Sequence, residues 1–167
     1  MRAGNSSFYY RNGNSYSKIT PSFTIKSVDQ TITYVTSTTG TIHKYNSGTN
    51  AFDLFYTPSN SSAFNSIKSY NDRLIVNDSS SNGAWVEAFL IEGSSLSSVF
   101  RYEHTNFSGH PTIETCPDLS QVLVNGVESE VVFYTYFNGQ TNVTYNYSRY
   151  TQKLDFYSLD YSAKTYS

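Results

Sequence analysis

Apolar and polar residues alternate along most of this chain with a period of two. No segment keeps an apolar period of 3.6 residues for three turns, and β-branched and aromatic residues outnumber leucine and alanine. Stretches such as "TIHKYN" and "AFDLFYT" alternate or nearly alternate, which is typical of strands with one buried face. The pattern predicts an all-β fold with more than about 45% strand and less than about 8% helix, against about a third helix in an average domain.

Polar turns divide these strands into four aromatic-rich hairpins. Asn12-Gly13 separates "SSFYYR" from "NSYSKIT", and Asn138-Gly139 separates "EVVFYTYF" from "TNVTYNYSRY". Asn-Gly between alternating hydrophobic runs is a strong hairpin signal, because both residues tolerate positive φ. Two further hairpins are predicted around the polar turns at 47–50 and 93–95.

A short motif recurs three times between the hairpins. Ile25, Ile67 and Ile113 open the stretches "IKS", "IKS" and "IET", at spacings of 42 and 46 residues. A polar turn with an aspartate follows each stretch, and then a second apolar strand, "TITYV", "LIVN" or "VLVN". With a hairpin added, each unit has four strands, and repeats of four antiparallel strands in about 40–50 residues are typical of β-propeller blades. We expect the three isoleucines to be buried, with Ile32, Leu74 and Leu123 on the neighbouring strands.

The third copy, "HPTIETCPDLSQVLVNG", resembles a β-propeller blade of the TolB or WD40 kind, and most of all the Pro…Ser-Pro-Asp-Gly repeat of TolB-type propellers. Pro111, Pro117 and Asp118 match that repeat, whereas Cys116 and Leu119 stand where it has serine and glycine. The resemblance implies that this segment forms the innermost strand of a blade and the turn into the second strand. It implies no activity, because propellers serve binding, scaffolding and catalysis alike.

The predicted architecture is a single all-β domain of propeller-like repeats, and the resemblance covers about residues 21–150. The predicted units are residues 21–61, 62–109 and 110–151. Residues 1–20 and 152–167 are expected to complete a further, split unit, in which strand 153–160 and hairpin 7–20 share a sheet or lie at adjacent edges. A β-sandwich with accidental internal similarity is the alternative.

Charge and hydropathy narrow the classes of partner. Charged residues make up only 14% of the chain, the net charge is −2, and no basic run is present to neutralise phosphates, so no nucleic-acid partner is expected. No apolar stretch approaches the roughly 20 residues of a membrane span. Residues 1–20 contain no signal-peptide core, although the chain is compatible with a mature or truncated secreted protein.

Two functions fit this composition of 45 serines and threonines, 15 asparagines and 16 tyrosines. The favoured one is a non-enzymatic extracellular or virion-surface module that presents this surface to a glycan or protein partner, since tyrosine provides contact area at low entropic cost. The alternative is a carboxylate-dependent propeller hydrolase or lyase with Asp29, Asp72 and Asp118 at one mouth. The same aspartates are also expected as turn residues that cap their own backbone. No catalytic motif and no cofactor is indicated.

Few individual residues stand out as candidate binding residues. Trp85, His104 and His110 are the candidates, although Trp85 is also expected to pack in a strand and the histidines to lie in exposed loops. The spacing of His104 and His110 is not typical of a zinc pair, so no metal site is predicted. Cys116 is the only cysteine and is expected to be a small buried hydrophobe.

Two larger sets of residues suggest a surface role. Tyrosines on alternating strand positions either pack or form a binding surface; they are Tyr9, Tyr134, Tyr136, Tyr145, Tyr147 and Tyr150. Asn-x-Ser/Thr sequons make the chain a candidate glycoprotein; their acceptors are Asn5, Asn60, Asn77, Asn106, Asn142 and Asn146.

Overall fold

A computed structural model describes residues 7–12, 14–31, 33–58, 64–80 and 83–167. In these residues 67% of positions are in strands and none is in a helix, so the predicted all-β class is confirmed. The strands are β1 (Phe8–Asn12), β2 (Ser15–Ile19), β3 (Ile25–Val28), β4 (Tyr34–Ser37), β5 (Ile42–Asn46), β6 (Ala51–Tyr56), β7 (Ser66–Tyr70), β8 (Arg73–Ser79), β9 (Ala84–Glu92), β10 (Ser95–His104), β11 (Thr112–Thr115), β12 (Gln121–Phe137), β13 (Asn142–Asp160) and β14 (Thr165–Tyr166).

These strands form one hairpin and three four-stranded antiparallel sheets within the described ranges. β1 pairs with β2; β3–β6 form the first sheet, β7–β10 the second and β11–β14 the third, and none of them closes on itself. Each sheet is a meander, because every strand pairs with its neighbours in the chain. The four predicted hairpins are all present, as β1–β2, β5–β6, β9–β10 and β12–β13.

The hairpin and the three sheets stack face to face in chain order. β1–β2 covers one face of the first sheet, where the rings of Phe8 and Phe52 lie 5.6 Å apart. The interface of the first and second sheets buries Ile42, Phe64, Ile67, Leu74 and Phe89. The interface of the second and third sheets buries Val86, Phe100, Phe107, Val122 and Leu159.

The predicted core positions are only partly confirmed. Ile67 and Leu74 are buried in the core between the first and second sheets. Ile25 and Ile113 are half-buried and only flank the cores. Leu123 is half-buried on the outer face of the third sheet, and Ile32 lies outside the described residues.

The third sheet departs from the predicted unit. β13 does not stop near residue 151 but continues to Asp160, and its residues 153–158 pair with 121–126 of β12. Strand 153–160 therefore shares no sheet with hairpin 7–20, and the alternative that the two lie at adjacent edges stays a prediction. The physical reason for the continuation of β13 is that residues 142–160 contain neither glycine nor proline, so one ladder extends without a bulge from the turn to the core.

Gly126 follows the predicted strand "VLVN" and lies inside β12. The ring of Phe107, which is buried, covers it so closely that a Cβ at Gly126 would be 2.5 Å from two ring carbons. The glycine therefore permits close packing and makes no turn.

β12 and β13 extend far beyond the rest of the third sheet. β11 pairs only with residues 122–125 and β14 only with residues 159–160. Residues 128–151, which we call the arm, are consequently a two-stranded ribbon. Its tip is the predicted Asn-Gly turn: Gly139 has φ 96°, and Asn138 Oδ1 accepts hydrogen bonds from the backbone N–H groups of Gln140 and Thr141, both at 2.9 Å.

Candidate functional site

The arm exposes an unusual number of large apolar side chains. Between 45% and 65% of the surface of each is accessible; they are Val131, Phe133, Tyr134, Tyr136, Phe137, Tyr145, Tyr147 and Tyr150. Single exposed hydrophobic residues are normal, but a contiguous exposed patch marks an interaction site. The alternative that these tyrosines fill the interior does not hold for the arm, where all five predicted tyrosines are exposed.

The two faces of the arm differ in chemistry. Because the β12–β13 register has no bulge, paired residues project to the same side and alternate along each strand. The tyrosine face consists of Val132, Tyr134, Tyr136, Val143, Tyr145 and Tyr147. The phenylalanine face consists of Val131, Phe133, Thr135, Phe137, Asn142, Thr144, Asn146 and Ser148, and it continues onto the outer face of the third sheet at Leu154 and Phe156.

Three tyrosine rings cluster on the tyrosine face. The Tyr134 and Tyr136 ring centroids each lie 5.7 Å from that of Tyr145 and 6.4 Å from each other, and the interplanar angles are 21°, 5° and 20°. A hydrogen bond with Tyr145 raises the pKa of Tyr136 above its ordinary value. The cluster combines nearly parallel aromatic surfaces with polar hydroxyl groups, which is suited to stacking against an amphipathic ligand.

Polar contacts anchor the base of the arm to the second sheet. The Tyr102 hydroxyl donates to Asp155 Oδ2 at 2.7 Å, and His104 Nε2 lies 2.8 Å from Glu128 Oε1. Lys153 Nζ lies 3.3 Å from the same Glu128 oxygen and 3.7 Å from Asp155 Oδ2. Burial raises the pKa of Tyr102, and the hydrogen bond to Asp155 raises it further, so this hydroxyl remains a donor. The arm therefore has a fixed base and an exposed distal part.

The three candidate binding residues lie in three different environments. Trp85 is buried in the core, stacks on Phe64 at 4.8 Å, and has the Arg101 guanidinium 5.9 Å from its ring. His104 belongs to the contacts at the arm base, and His110 is exposed before β11. The structure thus assigns packing to Trp85 and does not assemble the three residues into one site.

Asp29 is a buried turn residue, as one of the two sequence interpretations expects. Its Oδ1 accepts hydrogen bonds from the backbone N–H groups of Thr33 at 2.8 Å and Tyr34 at 3.0 Å. Its other oxygen accepts a hydrogen bond from the Ser69 hydroxyl, which connects the first and second sheets. Asp72 lies exposed in the turn between β7 and β8.

Asp118 and Cys116 form a second capped turn. Asp118 Oδ1 accepts hydrogen bonds from the Ser120 hydroxyl and the Cys116 thiol, both at 2.8 Å. These bonds, that of the thiol first, lower the pKa of Asp118 to about 2. Cys116 is half-exposed, in contrast to the expected buried hydrophobe, and its sulfur also accepts the Gln121 N–H at 3.1 Å.

The first strands of the three sheets meet at an open groove of about 550 Å³. Lys68 Nζ donates to Thr115 Oγ1 at 2.9 Å and so connects the second sheet to the third. Val28, Cys116 and Pro117 contribute to the lining. Among the described residues, no group of three His, Cys, Asp or Glu side chains could hold a metal ion.

The sequons differ in accessibility. Asn106, Asn142 and Asn146 are exposed, the last two on the phenylalanine face of the arm, whereas Asn77 is buried in β8. Asn5 and Asn60 lie outside the described residues.

Sequence reasoning missed the aliphatic and phenylalanine part of the arm surface. The signal was the run "VVFYTYF", which is apolar on both faces and pairs with a strand that also carries alternating aromatics. Such a run is typical of a strand covered on both sides. In the arm neither face is covered by another sheet of the described chain.

Comparisons with known proteins give no family for this chain. No protein-family model matches it, and no curated protein shows a significant match. No helix in the described ranges is long and apolar enough to cross a membrane.

Proposed function

We propose that this chain is a non-enzymatic binding module that contacts a glycan through the tyrosine face of its arm. The observation that carries the proposal is the cluster of Tyr134, Tyr136 and Tyr145, which lies on a ribbon whose base is held by Glu128 and Asp155. Aromatic rings stack on the apolar faces of sugar rings, while tyrosine hydroxyls accept and donate hydrogen bonds to sugar hydroxyls. Tyrosine also loses little conformational entropy on binding.

A glycan array tests this function with a matched pair of variants. The wild-type chain should bind a limited set of glycans, and Tyr134→Ala combined with Tyr145→Ala should abolish that binding. Tyr16→Ala is the control, because Tyr16 is more exposed than either residue, at 69%, but lies on the β1–β2 hairpin. Absence of glycan binding by the wild type, or equal losses in both variants, would contradict the proposal.

We infer that the three meanders are successive blades of a propeller-like array. The face-to-face order of the sheets supports this inference. Hydrogen bonds between successive sheets also support it, from Ser69 to Asp29 and from Lys68 to Thr115. Leu119 has φ 60°, a left-handed conformation, at the position where the TolB-type repeat has glycine. A crystal structure should show the three sheets around a common axis; two layers packed as a sandwich would contradict the inference.

We also propose that the module is displayed outside the cell or on a virion as a glycoprotein. The exposed sequons Asn106, Asn142 and Asn146 support this placement. The mass of the natively produced protein should exceed the sequence mass and fall to it after glycosidase treatment. A native protein of unmodified mass would contradict glycosylation.

A further inference from the structure

The outer edge of β13 offers a long row of backbone groups. Ser158 N–H and C=O bond outward to Ser167, at 2.9 and 3.0 Å, whereas Leu159 N–H bonds inward to Ser120 O at 2.8 Å. Since this direction alternates along an antiparallel strand, the even-numbered residues of β13 point their N–H and C=O groups outward. From Thr144 to Phe156, no strand of the described chain bonds to these groups.

This edge lacks the features that normally prevent strand pairing. Residues 142–158 contain no proline or glycine and form no bulge with β12. Such a long, regular edge is a template for another strand. The arm itself has only two strands, which is marginal in water without a further strand or layer.

The geometry points to a second copy of this chain as the occupant of the edge. The two β13 strands pair antiparallel about a two-fold axis at Tyr150, so that two arms form one four-stranded sheet. This pairing rests on the proposed function only in that both place the interaction surface on the arm. The pairing uses the edge of β13 and leaves the tyrosine cluster open on the face of the arm.

The extent of the unpaired edge selects the register of this pairing, because moving the axis to Gln152 would place Asn146 opposite Ser158, whose outward groups already bond to Ser167. An axis at Tyr150 pairs every outward group from Thr144 to Phe156, and it places Arg149 opposite the second copy's Thr151. Shifting the axis to Arg149 sets two arginines directly opposite each other, which is destabilising across a strand pair. With the axis at Tyr150, Lys153 and Asp155 also face uncharged tyrosines of the second copy, so no like charges meet.

The available surface agrees with a modest, reversible dimer. Four large side chains of β13 outside the tyrosine cluster are exposed by 52–64%; they are Tyr147, Tyr150, Leu154 and Phe156. At roughly 200 Å² for a full aromatic side chain, they supply up to about 500 Å² per copy. The total of up to about 1,000 Å² is at the lower limit for a specific interface, and the dimer should therefore dissociate on dilution into the micromolar range.

Proline variants test the edge without disturbing the arm. Ser148→Pro removes an outward N–H of β13, and Val131→Pro removes an outward N–H of β12 at the same height, because residues 131 and 148 are directly paired. Sedimentation velocity over a concentration series should show a dimer for the wild type and for Val131→Pro, and a monomer for Ser148→Pro. A monomeric wild type, or a Ser148→Pro variant that still dimerises, overturns the proposal.

Cysteine variants test the register and do not depend on the proline variants folding. In a Cys116→Ser background, oxidised Tyr150→Cys should form a covalent dimer, since directly paired Cα atoms lie about 5.5 Å apart, within disulfide range. Ser148→Cys is the control, because the proposed register places it opposite Gln152 of the second copy. Equal crosslinking of both variants, or none of Tyr150→Cys, overturns the register. Loss of glycan binding in Ser148→Pro would not separate the two claims, so glycan binding is scored on the wild type and on Tyr134→Ala with Tyr145→Ala, whose strand edge is intact. A wild type that dimerises but binds no glycan refutes the proposed function alone.

Discussion

Replacing Gly126 with alanine should destabilise this chain, although alanine is normally better than glycine inside a strand. The Cδ1 and Cε1 atoms of the Phe107 ring occupy the space where the new Cβ would lie, at 2.5 Å. The ring cannot simply move away, because Phe107 is buried between the second and third sheets and contacts the His104 ring edge-on at 4.4 Å. Relief of the clash therefore requires a shift of β12 or of the residues around Phe107.

Two opposing effects determine the size of the change. Overpacking a well-filled core costs about 1–3 kcal/mol of unfolding free energy. The reduced backbone entropy of alanine in the unfolded chain returns about 0.5–1 kcal/mol. Gly126→Ala should consequently lose about 0.5–2 kcal/mol in the wild-type background. In a Phe107→Ala background the clash is absent, so the same substitution should gain about 0.5–1 kcal/mol.

Urea unfolding of the four chains of this double-mutant cycle measures the effect. Trp85 is the only tryptophan and is buried, so its fluorescence reports unfolding of the core between the first and second sheets. The measurements belong at low protein concentration, where the proposed dimer does not contribute. A Gly126→Ala chain that is as stable as the wild type, or a loss of the same size in both backgrounds, would refute the packing argument.

Three further predictions concern the core and the pH dependence of stability. Ile67→Ala should lower the unfolding free energy by about 2–5 kcal/mol in urea titrations, because Ile67 is buried between two sheets; a loss below about 0.5 kcal/mol would place it outside the core. Burial raises the pKa of the Glu87 carboxyl, so the stability should be highest below the ordinary carboxyl pKa and should fall as the pH rises through the raised value. Glu87→Gln keeps the hydrogen bond with Ser98 and should be more stable than the wild type at neutral pH. In thermal unfolding, its stability should also fall less as the pH rises. The pKa of Asp118 is instead lowered to about 2, so its contribution is present above the ordinary pKa and lost as the pH falls towards about 2; Asp118→Asn should remove that acid-dependent loss, and an unchanged acid profile would contradict it.

Local features of the fold could be predicted from the sequence because their physical causes are local. The Asn138-Gly139 turn depends on residues that tolerate positive φ, and Asp29 and Asp118 cap N–H groups within five residues of themselves. The strands and hairpins follow from strand periodicity and turn spacing alone, and β3–β6 and β7–β10 each form a four-stranded antiparallel sheet.

The remaining features depend on contacts between residues distant in the sequence. Gly126 has the appearance of a turn residue, and only the ring of Phe107 explains why β12 passes straight through it. The exposed apolar surface of the arm was missed for a similar reason. Periodicity reports which side chains share a face, but not whether another layer covers that face, so exposed Phe133 and buried Phe89 have the same signature.

Shortening the arm tests most directly whether it is the binding surface of this chain. Residues 131–148 are replaced by Asn-Gly, so that Glu130 and Arg149, which are directly paired, remain joined by a two-residue hairpin turn. Trp85 fluorescence during urea unfolding confirms that the core still unfolds cooperatively. The shortened chain should be folded and monomeric and should bind no glycan on an array to which the wild-type chain binds. A folded, shortened chain that retains the glycan binding of the wild type would contradict the proposal that the arm is the binding surface.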